Sequence, residues 1–184
     1  MRADRVRHDE AVTVKHATSS VYVVSRLPDG WRIGLIRHPR FGRMMPPGGH
    51  VEAYESEAEA ALREVAEESG LAVRLADAPC VRLPDGFLPR RVAPPWWTVE
   101  HPVPADNHLA EPHVHVDHLY VAEARSAQPV TQPAHPFGWY SAADLAGLVM
   151  FDDARVLACA LLGCLDAAEA DVAAAIAGQL GVGA

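Results

Sequence analysis

The stretch from Gly49 to Leu71, GHVEAYESEAEAALREVAEESGL, constrains this chain more than any other. Ser56 offers a hydroxyl for an N-cap, and Glu59 three residues later can complete a capping box. Gly70 stands where a glycine just past a helix would stop it. Between them Ala58, Ala61, Leu62, Val65 and Ser69 recur at helical spacing and predict the buried stripe. A helix framed in this way places Glu64, Glu67 and Glu68, at i, i+3 and i+4, on one face. Like charges at that spacing repel by ~0.2–0.5 kcal/mol per pair. Glu68 also lies near the helix C-terminus, where the dipole disfavours a negative charge. A sequence that accepts these costs either splays the carboxylates into water or binds a cation there. Mg²⁺ takes oxygen ligands and keeps several waters, which suits clustered carboxylates facing a phosphate.

The same residues resemble a known pattern. Gly-x5-Glu-x7-Arg-Glu-aliphatic-x-Glu-Glu-x-Gly-aliphatic is the Nudix box, and Gly49, Glu55, Arg63, Glu64, Val65, Glu67, Glu68, Gly70 and Leu71 meet every fixed position. Ile36-Arg37-His38 followed by Pro47-Gly48-Gly49 resembles the usual approach to the box, and Trp139-Tyr140 its usual exit. The resemblance implies an α+β fold, an α/β/α sandwich with a mixed sheet. It implies that Glu64, Glu67 and Glu68 ligate a divalent metal, joined by the carbonyl of Gly49, with Glu52 as a further carboxylate near the metals. One of the three, or a carboxylate elsewhere, would orient or deprotonate the attacking water. Glu55 and Arg63 are implied to be a structural salt bridge, with Gly70 structural at the helix end. The cofactor implied is Mg²⁺, with Mn²⁺ as a substitute. The activity implied is that of a metal-dependent pyrophosphohydrolase. It would cleave a phosphate anhydride in a nucleoside diphosphate linked to another group, or in a nucleoside triphosphate. The alternative is a ligand-binding sensor of the same fold without turnover, against which the intact glutamates argue. Such chemistry needs the phosphoryl oxygens neutralised and a water in line. Arg37 and Arg43 flank the box and are candidates to complete the clamp; otherwise they are solvated surface charge.

Length and composition set the frame around this motif. At 184 residues the chain suits one domain able to bury a core unaided, taken here as residues 16–184 with a helical C-terminal region, after a flexible lead-in at 1–15. A formal charge of −8 disfavours duplex nucleic acid and anionic membranes as partners; the partner that the resemblance implies is a small nucleotide-type molecule, with a homodimer left open. Cys80, Cys159 and Cys164 are odd in number, without a Cys-x-x-Cys spacing, and read as buried reduced thiols. The N-terminus has no apolar signal-like core, and the longest apolar run, Val156 to Leu165, is short of a bilayer span; a cytoplasmic location is expected.

The rest of the chain reads as follows. His16–Arg26 and Trp31–Arg37 are predicted strands joined through Leu27-Pro28-Asp29-Gly30 as a hairpin. Phe41 to Gly49 cannot be helical. Leu71–Leu75 reads as a strand. Residues 76–112 carry eight prolines (79, 84, 89, 94, 95, 102, 104 and 112) and read as a long functional or disordered loop with a short strand near Trp97–Glu100. His113–Ala122 is a strand, Trp139-Tyr140 ends another, Ser141 caps a short helix, and Asp152 is expected to cap the last helical region.

On the strand from His113, alternation places His113, His115 and Asp117 on one face. Three readings stay open: substrate contact in the cleft, packing, or a site for Zn²⁺ or another transition metal. Trp97, beside Trp96, could stack on a base or pack in the core.

Overall fold

The computed structural model describes residues 14–168 and 171–179. Most of the expected lead-in, residues 1–13, therefore lies outside the described residues, and Lys15 already belongs to a strand. The strands are β1 (Lys15–Leu27), β2 (Gly30–Arg37), β3 (Met44–Met45), β4 (Gly48–His50), β5 (Val73–Leu75), β6 (Trp97–Val103), β7 (His113–Ala124) and β8 (Phe137–Tyr140). The helices are α1 (Glu57–Ser69), α2 (Ala142–Leu145), α3 (Asp152–Asp166) and α4 (Val172–Gln179).

β1 and β7 run parallel from Lys15 opposite Val114 to Val24 opposite Glu123; among the described residues the other strand pairs are antiparallel, with one isolated parallel bridge from Met44 to Met150. Their length lets each take two further partners in succession. β1 pairs with β4 through Thr18–Ser20 and with β2 through Val23–Leu27, while β7 pairs with β6 along its first half and β5 along its last. The sheet is therefore mixed, as expected.

Residues alternate between two apolar layers. Val21, Val23, Tyr120 and Ala122 face α1, where Ala58, Ala61, Val65 and Leu71 meet them. Tyr22, Val24, Ile33, Leu35, Leu119 and Val121 face the other way, against Leu161, Leu162 and Leu165 of α3 and Ile176 of α4. This is the α/β/α sandwich: strands buried on both faces demand a helix layer on each. Trp96 and Trp97 pack at the margin of the second layer, the packing alternative for Trp97, and the Trp96 indole N–H donates to the Ala76 carbonyl at 3.1 Å.

The α1 caps form as the sequence requires. Ser56 and Glu59 make a reciprocal capping box, and Gly70 ends the helix at φ +70° with its N–H on the Ala66 carbonyl. One stripe residue departs from expectation: Leu62 is 40% exposed, while Ala60 and Glu68 are buried. The buried side is rotated toward the glycine loop, so a carboxylate takes core-facing space that a leucine could have filled.

Other departures are local. Asp152 lies in the first turn of α3 and does not cap it; Phe151 occupies the N-cap without a side-chain hydrogen bond. The C-terminal region is helical, as α3 and α4. Of the cysteines expected to be buried, Cys164 is, while Cys80 and Cys159 are exposed, Cys159 on the outer side of α3. The proline-rich segment is divided by β6, which extends through Pro102 to Val103. Pro102 is tolerated because, among the described residues, β6 pairs with β7 alone and is an edge strand.

The fold predicts opposite outcomes for two glycine substitutions. At Gly70 the backbone is left-handed and a Cβ would collide with the Thr131 carbonyl oxygen. Gly70→Ala should lose at least ~1–2 kcal/mol. Gly163, inside α3, has open space around it, and Gly163→Ala should gain about 0.5–1 kcal/mol. Urea unfolding midpoints at unchanged slope would read both.

Candidate active site

Arg63, on α1, organises the site. Its Nε and Nη2 lie 3.0 and 2.7 Å from the Glu55 carboxylate, and Nη2 also donates to the His50 carbonyl at 3.0 Å. Its Nη1 donates to Glu64 at 2.7 Å and to Glu67 at 3.3 Å. One planar fork thus binds the loop before the helix, β4 and two of the three clustered glutamates; a flexible ammonium could not match this geometry. The expected Glu55–Arg63 bridge is present, and its extension to Glu64 and Glu67 is new.

The glycines of β4 allow the carboxylates to approach the backbone. Gly48 N–H donates to Glu68 Oε2 at 2.9 Å, and a Cβ on Gly49 would overlap the Glu64 carboxylate. A Cβ on Gly48 would strike the Ser19 carbonyl oxygen of β1. The Pro-Pro-Gly-Gly run is therefore a close approach of backbone to a carboxylate face.

The three glutamates are not equivalent. Glu67 is 59% exposed, whereas the side chains of Glu64 and Glu68 are 14% and 10% exposed. Burial pushes the Glu68 carboxyl up to about 7, the Gly48 N–H opposing and the neighbouring Glu64 and Glu67 charges reinforcing the shift. Burial also raises Glu64, against the pull of Arg63. His135 Nε2, from the segment before β8, lies 3.3 Å from Glu68 Oε1.

Three carboxylates, Glu55, Glu64 and Glu67, thus share one guanidinium, while the fourth, Glu68, is held by the Gly48 N–H and lies beside His135. The donor set is entirely oxygen, is short of positive charge and holds two carboxylates against their ionisation. These properties fit a hard divalent cation such as Mg²⁺.

The other expected residues are dispersed. Glu52 is exposed and lines a cleft of ≈ 350 Å³ with Lys15, His16, Ala17, His50, Val51 and His108. Arg37 ends β2 with its side chain exposed. Arg43 is engaged within the protein, donating to the Met150 carbonyl at 3.2 Å and lying over the Phe151 ring at 4.8 Å.

His113, His115 and Asp117 share a face of β7, as alternation predicts, but the Asp117 carboxylate accepts hydrogen bonds from Thr18 (3.0 Å) and Ser20 (2.8 Å) of β1. The carboxylate that joins the histidines is Asp106, whose Oδ2 lies 3.4 Å from His113 Nε2 and 3.4 Å from His115 Nε2. His50 completes the group, with its Nε2 3.7 Å from the same oxygen. His113 is 2% exposed and points inward to this group. Sequence reading missed His50 and Asp106, because neither sits in a spaced motif with the histidine strand. The one available signal was the number of histidines, ten in 184 residues.

The buried charge of Glu68 has a measurable consequence. Its carboxyl binds a proton more tightly in the folded chain than in the unfolded one, so stability falls as pH rises from about 4.5 through about 7. In chelator, Glu68→Gln should remove part of that slope and leave the variant more stable than the parent at pH 8. The gain should be at most about 3 kcal/mol. Parallel thermal melts at pH 5 and pH 8 would show it, and equal slopes would contradict the assignment.

Comparison with known proteins agrees with this geometry. The NUDIX domain model matches residues 16–158. A NUDIX-family hydrolase from Clostridium perfringens shares 28% identity at a TM-score of 0.62, covering 82% of this chain and 97% of its own. A NUDIX hydrolase from Nitrosomonas europaea aligns at 15% identity and TM-score 0.53, over 79% of this chain and 86% of its own. The Ap4A hydrolase of C. elegans aligns at 15% and 0.51, over 78% and 93%. Among curated proteins none matches the sequence. With the family model spanning most of the chain and the box intact on α1, the protein belongs to the Nudix family of hydrolases.

Proposed function

We propose that the protein is a metal-dependent pyrophosphohydrolase that cleaves a phosphate anhydride in a nucleoside diphosphate linked to another group, or in a nucleoside triphosphate. The observation that carries this reading is the carboxylate face of α1, packed on the glycines of β4 and short of positive charge. Glu64, Glu67 and Glu68 would hold Mg²⁺ or Mn²⁺, with the Gly49 carbonyl and Glu52 as further oxygen donors. When bound, such a cation polarises phosphoryl oxygens and lowers the pKa of a bound water.

The chain supplies the rest. Arg63 fixes Glu64 and Glu67 through one nitrogen, so their positions change together. Glu55 holds that guanidinium in place and also accepts from the Glu52 N–H at 3.0 Å, tying the loop that bears Glu52 to the helix. Solvent-facing Glu67 is the carboxylate best placed to meet an incoming ligand. Arg37 is the proposed phosphate contact, since its side chain is exposed while Arg43 is engaged with Met150 and Phe151. Trp97, His113 and His115 lie against the second core or the buried Asp106 group, which favours support of the cleft over direct contact with a base. Neighbours of this fold include the C. elegans Ap4A hydrolase and an E. coli dihydroneopterin triphosphate pyrophosphohydrolase, the latter at TM-score 0.50. Substrates of the phosphate-anhydride class are therefore the ones to try first.

A panel of dinucleoside polyphosphates, nucleoside diphosphate conjugates and nucleoside triphosphates, assayed with Mg²⁺, should contain at least one substrate. On it Glu67→Gln should lower kcat by at least ~10²-fold. Because Glu67 is exposed, the metal-free stability of the variant should stay within ~0.5 kcal/mol of the parent. A variant that keeps full activity while losing stability would overturn the reading.

A further inference from the structure

On the sheet face opposite α1, four side chains from three separate segments point at one spot. His50 comes from β4, His113 and His115 from β7, and Asp106 from the connection between β6 and β7. One donor atom from each lies within 4.8 Å of every other. We propose that His50, Asp106, His113 and His115 form a binding site for a divalent transition metal, Zn²⁺ first among them, separate from the carboxylates of the Nudix box.

Distances favour this reading. Four-coordinate Zn²⁺ binds imidazole nitrogen and carboxylate oxygen at ~2.0–2.1 Å, and the edge of such a tetrahedron is roughly 3.3 Å. The spacings here are 3.1 Å between His113 Nε2 and His115 Nε2, 3.4 Å from each of these to Asp106 Oδ2, and 3.7 Å from His50 Nε2 to that oxygen. Four of the six separations thus stand near the edge that a common central ion would impose, and the other two, from His50 to the β7 histidines, are within 4.8 Å.

Two of the donors are also oriented from behind by hydrogen bonds. His113 Nδ1 lies 2.9 Å from the Glu111 carbonyl, which can only accept, so Nδ1 carries the hydrogen. The lone pair of neutral His113 is therefore on Nε2, aimed at a carboxylate. Asp106 Oδ1 accepts the backbone N–H groups of His108 (2.8 Å) and Leu109 (2.9 Å), leaving Oδ2 turned to the histidines. The His108 ring stacks on His50 at 3.7 Å, and His16 packs against His113 at 5.0 Å. Outer partners of this kind fix tautomer and direction in metal-ligating histidines.

Protons alone satisfy the group poorly. A hydrogen on His115 Nε2 can serve His113 or Asp106, yet His50 Nε2 is buried with no hydrogen-bond partner among the described residues. A bound anion is disfavoured by the Asp106 carboxylate at the centre. A cation that prefers imidazole satisfies all four donors together, and this preference separates the site from the all-oxygen box, which suits Mg²⁺. The ion would join the Asp106 loop to β4 and β7, fixing one wall of the cleft beside the box.

The experiment loads the full chain with Zn²⁺ in excess Mg²⁺, removes free metal by gel filtration and measures metal content. The parent and Glu67→Gln should each retain one equivalent of Zn²⁺ per chain. Asp106→Asn and His115→Gln, with parental circular dichroism, should retain under a tenth of that. Co²⁺ added to the parent should give the intense visible bands of a four-coordinate nitrogen–oxygen site. These bands test the site without reference to any variant. No Zn²⁺ retained by the parent, retention by folded Asp106→Asn and His115→Gln, or loss in Glu67→Gln alone would each overturn the proposal. Loss in Glu67→Gln would place the ion in the box instead.

Discussion

Three carboxylates on one guanidinium, with a fourth carboxylate beside them, is the constraint on which the rest of this structure depends. Arg63 cannot neutralise Glu55, Glu64 and Glu67 together, and Glu68, which is buried, has no polar contact with it. A domain optimised only for stability would not keep a carboxylate on the core side of a helix while leaving Leu62 partly in water. The electrostatic cost is accepted locally and offset by the two apolar layers, which bury β1 and β7 on both faces. Function therefore follows from what α1 gives up as much as from what it contributes.

The strand beside that helix has a second role. β4 is only three residues long, yet its alternation separates two kinds of chemistry. Gly49 faces α1 and lets the Glu64 carboxylate close on the backbone, while His50, paired with Thr18, faces the opposite side toward Asp106 and the β7 histidines. Hard oxygen donors lie on one face and imidazoles on the other, with the Arg63–His50 carbonyl hydrogen bond linking them at 3.0 Å. A change in the position of β4 would reach both sets.

What could be read in the sequence follows from how local each feature is. The box, the capping pair Ser56–Glu59 and the Gly70 stop all lie within 23 contiguous residues, so spacing alone placed them. The hairpin and the β7 strand were equally readable from alternation and turn residues. The Asp106 group was not, because it depends on the parallel β1–β7 pairing and on β4 joining β1, which bring distant residues together. Asp117 was the reasonable candidate by alternation, but two hydroxyls on β1 take its oxygens. Leu62 failed for a related reason: periodicity gives the width of a buried stripe but not which edge a functional carboxylate will claim. Asp152 failed because a cap-type residue in the first turn looks the same in sequence as one at the cap itself.

The most direct test of the central claim, that water attacks a phosphate anhydride at a cation held by the α1 carboxylates, is hydrolysis in ¹⁸O-labelled water with and without chelator. The account predicts that with Mg²⁺ a single ¹⁸O enters one phosphate-bearing product per turnover, and that excess EDTA abolishes both label and product. Undiminished turnover in EDTA, or product formed with no label on phosphorus, would contradict it.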